Sequence, residues 1–168
     1  MKLALAGFMA VGKSTVGKLL AEHLGLDFVD LDQEIERQTG YTIPQLFAIS
    51  EDLFRLKEEE TLRILLNQDD IVLALGGGTL HSRENAQLIL HHFQLFTFHA
   101  SWDVLEQRIL GSGRPLADQA KELFKQRKQG YEAVGIQIQT DRRSPERVML
   151  EIVKQLGKEK YENSVQKF

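Results

Sequence analysis

Near the start of the chain, Gly7-Phe8-Met9-Ala10-Val11-Gly12-Lys13-Ser14 fits the pattern G-x-x-x-x-G-K-[ST] of a phosphate-binding loop, and Thr15 follows directly. Gly7 and Gly12 allow backbone conformations that turn successive N–H groups inward around an anion. Lys13 reaches the β/γ-phosphates of a nucleotide as a point charge, and the Ser14 hydroxyl is a Mg²⁺ ligand. Ala10, Val11 and Thr15 complete the expected nucleotide contacts. A second pair with chemistry is Asp30 and Asp32, in the segment Phe28-Val29-Asp30-Leu31-Asp32. In an extended segment, residues two apart point the same way, so both carboxylates are expected in one cleft. One would support the Mg²⁺ shell and the other would hold or deprotonate an acceptor hydroxyl.

These residues need strands and helices to position them. Residues 2–6 form a short apolar run, and Val16, Leu19, Leu20 and Leu24 then recur at helical spacing, so the loop joins a strand to a helix N-terminus. Further strands are expected at 28–31, 71–75, 95–98 and around Ile136 and Ile138. Helices are expected at 33–38, 43–49, 52–66, 83–91, 102–110, 118–131 and 145–156. This alternation predicts an α/β fold, a three-layer α/β/α sandwich on a five-stranded parallel sheet. The whole chain, 1–168, reads as one domain, with a polar tail from about 157 that is expected to fray.

Composition excludes several classes. A hydrophobic content of 42% and a charged content of 27% are ordinary for a globular protein. The formal charge of −3 gives no basis for nonspecific nucleic-acid binding. There is no cysteine, hence no disulfide framework or thiolate metal site. The opening apolar run breaks at Gly7, and no stretch approaches the ~18 apolar residues of a membrane span, so a cytoplasmic location is expected. No N-K-x-D-like segment for guanine is present, and the strand at 71–75 runs into three glycines rather than an acidic pair. His91-His92 reads as a solvated helix end, and Trp102 as packing with Leu105 and Ile109.

In order and spacing, the segments GFMAVGKST (7–15), FVDLD (28–32), TIPQLF (42–47), EDLFRLKE (51–58), LALGGGTL (73–80), RPL (114–116) and RKQGY (127–131) resemble shikimate kinase. That family consists of small P-loop kinases related in fold to nucleoside monophosphate kinases. The resemblance implies transfer of the ATP γ-phosphoryl group to the 3-hydroxyl of shikimate, with Mg²⁺, in a monomer. By position it implies that Arg55 and Arg127 bind the shikimate carboxylate, a task suited to the guanidinium fork. It makes Asp32 the hydrogen-bond acceptor and best base, and Asp30 a support for Mg²⁺ through water. Gly76, Gly77 and Gly78 match the run against which substrate lies, with the Gly77 N–H as donor. Arg114 matches the arginine that closes on the phosphates, within a lid at about 110–119; the substrate-binding region is about 31–60. Glu58, one turn beyond Arg55, is placed to orient it. Arg143 and Pro145 resemble one side of the adenine pocket, with Arg108 opposite.

The chain departs from the family pattern in three places. Ser50-Glu51 stands where Gly-Glu is usual, the stretch from Phe47 to Phe54 is one residue short, and Ala117 replaces a leucine after RPL. Two other readings stay open on sequence: a related small-molecule kinase such as a gluconate kinase, and a noncatalytic nucleotide-binding paralogue.

Overall fold

A computed structural model describes residues 1–110 and 117–165, with side chains throughout except at 117–118 and 158–165. Arg114 and most of the expected lid lie outside the described residues.

Five strands, β1 (Lys2–Gly7), β2 (Asp27–Asp30), β3 (Ile71–Ala74), β4 (Gln94–His99) and β5 (Ile136–Gln139), form one sheet in the order β2-β3-β1-β4-β5. Every pairing is parallel. Between them run α1 (Lys13–Leu24), α2 (Leu31–Thr39), α3 (Ile43–Ile49), α4 (Glu51–Leu65), α5 (Arg83–His92), α6 (Trp102–Leu110), α7 (Ala117–Glu132) and α8 (Pro145–Val165). All four residues of β3 are essentially inaccessible, which explains their unbroken apolar run: helices cover both faces. Side chains alternate along β1. Leu3 and Leu5 join a core with Val16 and Leu20 of α1, Leu105 and Ile109 of α6, and Val148 and Ile152 of α8. Ala4 and Ala6 face a second core with Ile35 of α2, Phe54 and Leu62 of α4, and Ile89 of α5. The result is the expected three-layer sandwich. No helix among the described residues is long and apolar enough to cross a membrane.

Two expectations need correction. The second strand ends at Asp30, and Leu31 and Asp32 already belong to α2. The Asp30 carboxylate accepts a hydrogen bond from the Gln33 N–H at 3.4 Å, so it caps the helix and ends the strand early. Asp30 and Asp32 therefore do not share one extended segment. The last helix also runs beyond the expected 145–156, through Val165. Its sequence from 157 holds Lys, Glu, Gln and Tyr with no proline and one glycine, so little in it opposes helix propagation.

Candidate functional site

Gly7 ends β1 at a φ of 136°, and a Cβ there would stand 2.6 Å from the Phe98 carbonyl oxygen, so only glycine fits. Ala10 and Gly12 also adopt positive φ, which folds the loop back over the start of α1. Gly12 supplies no side-chain cap, and the first N–H groups of α1 therefore face the loop with the positive end of the helix dipole behind them. The Lys13 ammonium donates to the Gly7 and Phe8 carbonyls at 2.7 and 3.0 Å, curled within the loop it is expected to serve. Ser14 Oγ donates to Asp30 Oδ2 at 2.7 Å. A serine hydroxyl and a carboxylate side by side are hard oxygen donors, the type Mg²⁺ takes. No cluster of three His, Cys, Asp or Glu side chains able to hold a metal occurs among the described residues. One or two protein oxygens plus phosphate and water are the usual Mg²⁺ shell at a nucleotide, and Ser14 with Asp30 fits that pattern.

Next to this cradle lies a cleft lined by Ala10, Val11, Gly12, Thr15, Arg108, Arg143 and Pro145. Arg108 Nη1 reaches the Ala10 and Val11 carbonyls at 3.2 and 3.3 Å. Arg143 is held by the Gln139 and Arg147 carbonyls at 3.0 and 3.3 Å. Of the nucleotide-contact residues expected from sequence, Ala10, Val11, Gly12, Thr15, Arg143 and Pro145 line this groove.

The glycine run after β3 organises the other half of the site. A Cβ on Gly76 would meet Asp32 Oδ1 at 2.7 Å, one on Gly77 would lie 3.6 Å from Arg127 Nη1, and one on Gly78 would meet Arg55 Nη2 at 2.9 Å. Three consecutive glycines therefore each face a charged side chain delivered by a different helix: α2, α7 and α4. Burial raises the Asp32 pKa to about 6; nearby Asp30, Glu58 and Glu36 push the same way and Lys13 opposes them. Burial also lowers the Arg127 pKa, and the neighbouring Arg55 lowers it further, against the opposing pull of Tyr131, Glu51 and Glu58. The two guanidinium groups are thus close enough to repel each other electrostatically.

Each arginine is held from behind. Arg55 Nη1 donates to Glu58 Oε2 at 2.9 Å, and its guanidinium lies over the Phe54 and Phe47 rings, 5.0 and 5.9 Å from their centroids. Glu58 is 1% exposed and also accepts from Thr79 Oγ1 at 2.7 Å and Asn85 Nδ2 at 3.3 Å. A buried carboxylate persists only with such partners, and here they fix the orientation of Arg55. Arg127 Nη1 donates to the Gly77 carbonyl at 2.9 Å. That carbonyl is an acceptor for α7, a role the sequence reading of Gly77 as an N–H donor did not include. The departure at Ser50 leaves this arrangement standing. Ser50 closes α3 with an N–H to the Leu46 carbonyl at 3.0 Å and opens α4 by accepting from the Leu53 N–H at 3.4 Å. Its φ of −170° is extended backbone, which needs no glycine.

Sequence reasoning missed several contributors. Thr79 and Asn85 carry no motif that betrays a buried carboxylate. Phe47 stacks on Phe54 at 4.4 Å across a helix boundary, a contact no periodicity reveals. Tyr131 did leave a signal: it lies four residues from Arg127, on the same face of α7. His91 and His92 are exposed at the end of α5, as expected, and Trp102 packs on Phe124 at 5.5 Å.

Comparison with known proteins shows the family. The family model described as shikimate kinase matches residues 9–157. A shikimate kinase of Thermus thermophilus is 39% identical over 163 residues, covering 92% of this chain and 89% of that protein. A bifunctional shikimate kinase/3-dehydroquinate synthase of Thermotoga maritima is 40% identical over 136 residues, which is 78% of this chain and 27% of that longer protein. The solved structure of a shikimate kinase from Acinetobacter baumannii in complex with shikimate superposes with a TM-score of 0.87 at 32% identity, over 95% of this chain and 94% of that one. A phosphate cradle, an arginine pair around a glycine run, and a match along nearly the whole sequence lead to one assignment: the chain belongs to the shikimate kinase family.

Proposed function

We propose that this protein is a shikimate kinase, transferring the γ-phosphoryl group of ATP to the 3-hydroxyl of shikimate to give shikimate 3-phosphate and ADP. The observation that carries this reading is the convergence of Asp32, Arg127 and Arg55 on Gly76, Gly77 and Gly78, beside the phosphate loop. An acceptor lying on that run meets two guanidinium groups at one end and a carboxylate at the other. This suits a ring bearing a carboxylate and several hydroxyls.

In this reading the α1 N-terminus and Lys13 hold the phosphates, and Arg143 and Pro145 flank the adenine. Ser14 directly, and Asp30 through water, would hold Mg²⁺, which would supply positive charge to neutralise the phosphates. Arg55 and Arg127 fix the acceptor carboxylate, and Asp32 orients its hydroxyl and receives the proton as the oxygen–phosphorus bond forms. The bond from the γ-phosphorus to the β–γ bridging oxygen breaks, and ADP leaves. Arg114 closes on the transferring group. Such arginines contribute ~10³ or more in rate. The same reading takes the protein as a monomer.

A coupled ADP-release assay with shikimate, with gluconate and with no acceptor tests the reading. Shikimate-dependent turnover alone is expected. Gluconate-dependent turnover would make the protein a different hydroxy-acid kinase, and no acceptor-dependent ADP release would leave only nucleotide binding.

A further inference from the structure

Gly77 offers a carbonyl with two lone pairs, and both are engaged from α7. Arg127 Nη1 takes one at 2.9 Å, and the Tyr131 hydroxyl donates to the same oxygen. We propose that Tyr131 is a positioning residue for the acceptor: its hydroxyl and the Arg127 guanidinium jointly lock the Gly77 carbonyl, and thereby the glycine run and the Arg127 fork.

Tyr131 sits one helical turn beyond Arg127, so both side chains leave the same face of α7. It is 6% exposed and belongs to the core that includes Phe8 of the phosphate loop, so its ring has little freedom. Filling that space requires only a phenyl ring, whereas the hydroxyl reaches a specific acceptor. Burial raises its pKa to about 12, so the hydroxyl stays protonated, and a donor, at any physiological pH. The consequence passes through the peptide plane. In a trans peptide the Gly77 carbonyl and the Gly78 N–H point in opposite directions, so pinning one aims the other. Gly78 is the residue that faces Arg55, so the same plane bears on both arginines of the site. A guanidinium carries five N–H donors, so Arg127 can hold Gly77 and still present a fork edge to a carboxylate. His81, in edge contact with Tyr131 at 6.3 Å, borders the same corner.

This inference rests on the acceptor assignment above, and its test separates the two. Tyr131→Phe keeps the ring and deletes the hydroxyl. The shikimate KM should rise about five- to tenfold, the size of one lost hydrogen bond, while kcat and the ATP KM stay within about twofold. In the substrate-free protein the Gly78 amide resonance should shift, since its peptide partner loses a donor. A folded variant with an unchanged shikimate KM would overturn the proposal and leave the acceptor assignment intact. Wild type that does not respond to shikimate would overturn the acceptor assignment itself, and this inference with it. If Tyr131→Phe does not fold, wild type still decides. A slowly exchanging Tyr131 hydroxyl proton with a scalar coupling to the Gly77 carbonyl carbon is expected, and a freely exchanging hydroxyl would refute the lock.

Discussion

Asp32 holds its proton to about pH 6 because it is desolvated beside other carboxylates, whereas in an unfolded chain it would release it near 3.8. The sign of the linkage follows. The folded state binds the proton more tightly, so this group favours folding at low pH and loses that contribution as pH rises from about 4 to about 6. Above that range an ionised Asp32 costs stability, a common cost at a site built for chemistry rather than for packing. Asp32→Asn removes the charge and should abolish most turnover. In thermal melts without nucleotide, the variant should gain Tm relative to wild type, with the gap opening between pH 4 and 6 and level above it. A gap independent of pH would place Asp32 in ordinary solvent and weaken it as a base. Lys13, a cation that lowers the Asp32 pKa, is meanwhile bonded to the Gly7 and Phe8 carbonyls; drawing it toward phosphate would change its hold on Asp32.

Among the elements, the α3–α4 junction controls where Arg55 goes. A single residue, Ser50, ends one helix and begins the next. Ser50→Ala should cost about 1 kcal/mol, the usual worth of a side-chain N-cap, or roughly 2–4 °C in Tm for a chain of this size. Ser50→Gly should cost less. Differential scanning calorimetry measures both, and the shikimate KM should rise with the loss of Tm because Arg55 lies just beyond the first turn of α4. At this scale the sequence was informative wherever pattern and chemistry agreed. The apolar run of β3 announced a strand covered on both faces, and the loop after β1 announced both its own conformation and the helix behind it. Asp30 misled because it serves two roles, Ser14 partner and helix cap, and the cap converts the next two residues to helix. The pairing of each glycine with a charged side chain was illegible, since it depends on how α2, α4 and α7 pack on the sheet. The same holds for Glu58: its spacing from Arg55 was readable, but its burial with Thr79 and Asn85 was not.

Across the whole molecule, the sheet order assigns the two halves of the site to different neighbourhoods. The phosphate loop leaves β1, the middle strand, which has partners on both sides, and the glycine run leaves β3 beside it. Asp32 and Arg55 follow instead from β2, a margin strand whose four residues are all more accessible than those of β3. Regions with fewer buried contacts open at lower free energy than the centre of a domain. The protein should therefore fail in a set order. In a urea titration below the global midpoint, the shikimate KM should climb while binding of a non-hydrolysable ATP analogue persists, and amides of β2 and α2 should exchange before those of β1. Simultaneous loss of both affinities would mean that the margin and the centre open as one unit. Placed this way, Asp32 and Arg55 are free to vary at the margin of the sheet, while the glycine run they face stays anchored at its centre beside the phosphate loop.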